Sequence, residues 1–128
     1  MKASSLSFQA AIVLVVVGMA WGLHMGISRD HAAMPAHAHL NLLGWVTMAI
    51  YGTFYALTHA SLKPKLAWIN FWLAGLGVVL MIPSLALYLP AHDTKFVPGI
   101  LAGEAATIAS LIAFAISVYR ELVRPRLA

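Results

Sequence analysis

The chain is 128 residues long, 62% of them hydrophobic and 9% charged. Soluble domains carry about 25% charged residues, so this composition excludes an ordinary water-soluble fold and points to one membrane domain. The net charge of +4 gives no case for nucleic-acid binding, because the basic residues sit at the ends of apolar segments; the lack of cysteine excludes disulfides, thiolate metal sites and iron–sulfur clusters.

Four apolar segments follow one another over residues 1–128, each close to the roughly 20 residues that cross a bilayer as a helix. After a short polar lead with Lys2, the first covers about 7–27. It is too long for a signal peptide and lacks a small-residue cleavage site, so it is expected to remain as a membrane helix. Gly18, Gly22 and Gly26 form a small-residue ridge that lets another helix approach closely. His24 points away from that ridge, toward Val17 and Trp21; it reads either as an interfacial residue or as a ligand. Residues 28–36 form a loop, and Pro35 suits the first turn of the next helix.

The second helix is predicted over about 37–60 and the third over about 66–89, with Gly75 and Gly77 for packing and a kink at Pro83. A connection carrying His92 and Asp93 leads to the fourth, over about 97–121. There Gly99, Gly103, Ala106, Ser110, Ala113 and Ser117 make a small-residue seam. The expected fold class is thus all-α, with four transmembrane helices.

Lys2, Lys63, Lys65, Arg120, Arg124 and Arg126 share one side of such a topology, leaving only Arg29 and Lys95 on the other. This asymmetry places both termini in the cytoplasm, in a bacterial inner membrane. His24, His31, His37, His39 and His92 then gather toward the periplasmic side, with His59 alone at the cytoplasmic end. Glu104 is the one acidic residue well inside a span. Intramembrane carboxylates are costly and normally partnered. Glu104 reads as a protonated group bonded to a neighbouring helix, as a relay, or as the acceptor that fixes a ligand histidine's tautomer.

His37 and His39 are two positions apart, so on a helix their rings point about 200° from each other. A single small ion bound by two helical histidines wants a spacing of four; this pair suits two separate sites. His37, Asn41, Gly44, Met48, Gly52, Tyr55 and His59 share a polar-to-small stripe, whereas His39 sits over Leu43, Val46, Ile50 and Leu57. The plain alternative is that His37 caps the helix start while His39 bonds a backbone carbonyl.

The pair, followed by Leu43-Gly44-Trp45-Val46, Met48, Gly52 and Tyr55, resembles the haem-binding helix of haem-copper oxidase catalytic subunits, above all the cbb-type oxidases and nitric-oxide reductases. The resemblance is close over this helix and loose over the rest. It implies that His37 faces a high-spin haem and His39 a low-spin haem; His24, Asn41, Gly44, Trp45 and Glu104 are the further candidates for residues around the cofactor. It further implies one four-helix arc of the subunit I fold, which the family builds from three arcs in pseudo-threefold symmetry. A single arc would take the missing ones from other copies, as a homotrimer; the competing arrangement is a self-contained bundle pairing His24 with His39. The chain lacks the adjacent histidines and the His-x-x-x-Tyr of the family's copper centre, so autonomous oxygen reduction is not expected.

The leading expectation is a haem b protein in the lipid bilayer, carrying electrons to or from a redox partner or quinol, or binding a diatomic gas. The alternative is a copper or zinc handler using His24, His37, His39 and His92, with Met25, Met34, Met48 and His31 near the same face. A third is an accessory subunit whose histidines only form hydrogen bonds.

Overall fold

The computed structural model describes residues 2–58 and 63–123. His59, Arg124 and Arg126 lie outside the described residues. Every regular element among the described residues is helical, and four helices are long and apolar enough to cross a membrane. Helix α1 is Ala3–Ser28, α2 is Met34–Leu57, α3 is Pro64–Ala91 and α4 is Val97–Leu122, the last entered through a single 3-10 turn at Thr94–Phe96.

The bounds differ from those expected, each for a local reason. α1 starts at Ala3 because the polar lead contains nothing that breaks a helix. α2 starts at Met34, with Pro35 in its first turn where no amide donor is needed, so His37 lies inside the helix rather than at its cap. α3 runs through Pro83 and Pro90 and ends at His92, which adopts left-handed backbone (φ 51).

The largest departure is inside α2. Leu40–Thr47 is π-helical, with hydrogen bonds closing over five residues instead of four. Two side chains support the wide turns. Asn41 Nδ2 donates to the His37 carbonyl at 3.0 Å, where the narrow helix gives way to the wide one. Thr47 Oγ1 donates to the Leu42 carbonyl at 2.8 Å, five residues back. Such π segments occur frequently at functional sites, and this one begins directly after His39.

α1 packs along α2 and α3 packs along α4, while α3 also touches α1 and α2. Among the described residues α1 and α4 come together marginally at most, so they form the two edges of the group. Small residues make these approaches possible. A methyl on Gly103 would meet the Met81 backbone, one on Gly77 would meet Thr107, and one on Gly99 would meet Ser84. Gly18 and Gly22 accommodate the side chains of Asn41 and His37. The small-residue ridge of α1 and the seam of α4 are therefore largely occupied within the chain; only Gly26 has nothing within 4 Å.

Met48, Tyr51 and Tyr55 centre one core cluster and Leu40, Val78, Met81 and Ile82 another, nearer the histidines. Large apolar side chains including Ile12, Met19, Leu23, Leu101 and Ile112 point outward. Hydrocarbon tolerates that surface; water does not.

Candidate functional site

Five histidines lie at the end of the bundle formed by the 29–33 loop and the α3–α4 connection, and the structure distributes them rather than gathering them. Among the described residues, no group of three or more His, Cys, Asp or Glu side chains comes together to hold a metal ion. His24, His31, His39 and His92 are exposed and His37 is half-buried.

His39 faces outward, and its Nδ1 lies 2.7 Å from the Pro35 carbonyl oxygen. A carbonyl can only accept, so Nδ1 carries the proton. In the neutral ring Nε2 then holds a free lone pair. A backbone carbonyl on the second nitrogen is how proteins commonly fix the tautomer and orientation of a ligand histidine. Both readings of His39 meet here: the carbonyl bond is made, and it leaves a ligand-competent nitrogen.

His37 turns the opposite way, as the spacing requires. Its ring stands edge-on to Trp21, with centroids 6.0 Å apart, and its Cε1 would lie 3.0 Å from a methyl on Gly22. Asn41 Nδ2 sits 3.4 Å from His37 Nδ1 and 3.3 Å from Nε2, long contacts of which only one at a time can be a hydrogen bond. The imidazole is inserted against α1, and no flat cofactor fits between them.

Gly44 is buried because the Leu14 side chain fills the space a methyl would need, with Cδ1 at 3.0 Å. Trp45 faces outward and opens a groove of about 530 Å³, lined with Val46, Ile50, Phe54 and Leu57 from α2 and Phe114 from α4. It lies on the apolar face that the sequence assigns to the His39 side. Glu104 is exposed on α4, remote in the packing from α1. His92 forms the end of α3, its ring edge-on to Tyr88 at 5.8 Å.

The methionines named for copper do not share a face. Met25 and Met48 are buried, whereas Met34 and His31 are exposed.

Sequence reasoning missed a polar set at the other end of the bundle. Ser110 Oγ donates to Asn70 Oδ1 at 2.7 Å and lies 3.4 Å from Tyr51 Oη; Tyr55 Oη and Ser117 Oγ are 2.9 Å apart. All five residues are buried. The signal was present: a lone asparagine inside an apolar span needs a partner, and Ser110 and Ser117 appeared only as small packing residues.

The fold and this end of the bundle define a protein of four helices long and apolar enough to cross a membrane, with an outward, tautomer-fixed histidine beside a π-helical segment. No family model, no characterised protein and no solved structure matches the chain.

Proposed function

We propose that the protein is a haem b-binding protein of the bacterial inner membrane, with His39 as an axial ligand through Nε2. The observation that carries the reading is the His39 ring, held by the Pro35 carbonyl at 2.7 Å and directed away from its own bundle. Haem b supplies one-electron redox chemistry or an iron centre for a diatomic gas. The chain's own contribution is to orient the imidazole, leave Nε2 unprotonated, and offer the outward apolar side chains of Leu42, Trp45 and Val46 next to it, which keep water from one side of a bound ring.

The fit is good for one haem and poor for two. His37 is inserted against α1 and is better placed to position α2, through Asn41 and Trp21, than to ligate. The groove beside Trp45 is open, so a single chain does not enclose a porphyrin. The reading therefore includes an assembly of copies, a ring of three if the resemblance to a single oxidase arc holds, in which a neighbour closes that face and haem stabilises the assembly by mass action. The asymmetry of lysine and arginine supports cytoplasmic termini, and a quinol or redox protein is the electron partner that suits a membrane haem. Copper or zinc remains the competing cofactor, but the scattered histidines and methionines do not favour it.

The test is a pyridine haemochrome assay with metal analysis on the purified protein, repeated for His39→Ala. Wild type should yield haem b in stoichiometric amount, with the reduced-state bands lost or shifted in the variant. An unchanged spectrum and haem content in His39→Ala would overturn the assignment, and copper or zinc without haem would replace it.

A further inference from the structure

Among the described residues, two ionisable groups within the spans make no hydrogen bond or ion pair. Glu104 on α4 and His24 on α1 are both exposed, on the two edge helices, which come together marginally at most. Ionisable residues at membrane depth almost always face a bundle interior, a water-filled cavity or a partner. His24 lies four residues before the end of α1 and Glu104 seven after the start of α4, so they sit about 6 Å and 10 Å below the same end of the bundle. That offset is within reach of two side chains. The helices are antiparallel, so matching 24 with 104 also matches Ala20 with Ile108 and Val17 with Leu111, all exposed.

We propose that Glu104 of one copy hydrogen-bonds His24 of a second copy, joining the α4 edge of each protomer to the α1 edge of the next. The occupant is another copy because the complementary groups stand on opposite edges of one chain at one depth. One proton between carboxyl and imidazole satisfies both, whichever group holds it. A head-to-tail contact of this kind closes into a ring or propagates; it is not the self-matched contact of a two-fold dimer. The small-residue faces cannot serve instead, since they are filled within the chain. The inference rests on the membrane reading of the spans and is independent of the haem.

The native chain has no cysteine, which makes the test direct. His24→Cys and Glu104→Cys, carrying different tags, are co-expressed and oxidised in native membranes. The expected result is a cross-linked dimer in the mixture and none from either variant alone. Because this pair removes the interacting groups, Ala20→Cys with Ile108→Cys is run in parallel. That pair should cross-link with His24 and Glu104 intact and lose the product several-fold when Glu104→Leu is added. Self-cross-linking of Glu104→Cys alone, or no product from either mixed pair, overturns the proposal. Haem content is assayed separately: cross-linking in haem-free protein leaves the interface standing, and haem in a chain that does not cross-link removes only the interface.

Discussion

The two ends of the bundle treat polar side chains in opposite ways. At one end Tyr51, Tyr55, Asn70, Ser110 and Ser117 are buried and bonded mainly to one another across α2, α3 and α4, with Asn70 Nδ2 the one buried side-chain polar atom left without a partner among the described residues. At the other, His24, His39 and Glu104 are exposed on the outside of the bundle. The first arrangement is what a core does with polar groups, because a buried donor or acceptor left alone is costly. The second has no such explanation, since turning a carboxyl group and two imidazoles outward on a largely apolar surface gains the single chain nothing. Polar groups closed on each other support the fold; polar groups left open imply something outside the chain.

Substitutions at the closed end should therefore act on stability and those at the open end on binding. The largest effect is expected for Asn70→Ala. It removes the acceptor of Ser110 Oγ at 2.7 Å and leaves Ser110 only long contacts of 3.4 and 3.5 Å. The loss should be about 2–3 kcal/mol, read as a lowered thermal midpoint of haem-free protein in detergent. By contrast, His39→Ala should stay within about 0.5 kcal/mol in the same assay, as exposed substitutions usually do. If the two variants destabilise equally, the distinction between the ends fails.

Tyr55→Phe sharpens the same contrast at smaller scale. It deletes the 2.9 Å bond to Ser117, but Ser117 Oγ keeps its bond to the Ala113 carbonyl at 3.0 Å and is not orphaned. A cost of about 1 kcal/mol is expected, the net worth of one hydrogen bond. A loss as large as that of Asn70→Ala would mean that the tyrosine hydroxyl holds more of the network than Ser117.

Much of this was legible in the residues. Four helices follow from apolar run lengths, and the opposed directions of His37 and His39 follow from a spacing of two. What was not legible depends on partners chosen in three dimensions. Gly18 and Gly22 announce a close approach without saying whose side chain arrives; here it is Asn41 and His37 from the same chain. The π-helical turns after His39 rest on Asn41 and Thr47 bonding carbonyls four and five residues back, and neither residue type is specific to that geometry. Asn70 carried a signal in its isolation, but only the fold brings Ser110 to it.

The smallest effect concerns the one charge pair described at the open end that is closed within the chain. Asp93 accepts from the Lys95 ammonium at 2.8 Å and from the Lys95 backbone N–H at 3.0 Å. The Lys95 side chain, then its backbone N–H, holds the Asp93 carboxyl below its usual value. A lowered folded value means that the native loop binds the proton less readily than the unfolded chain does. The pair's contribution is thus fully present above the ordinary carboxylate value of about 3.9 and is lost as pH falls through the lower folded value. Both side chains are solvent-accessible, so the effect on global stability should be too small to see. A carbon-detected NMR titration of Asp93 should give a midpoint below about 3.9 that moves up toward it in Lys95→Met. A midpoint unmoved by that substitution would show that the ammonium contributes nothing, and that the backbone N–H alone holds the carboxylate at the entrance to α4.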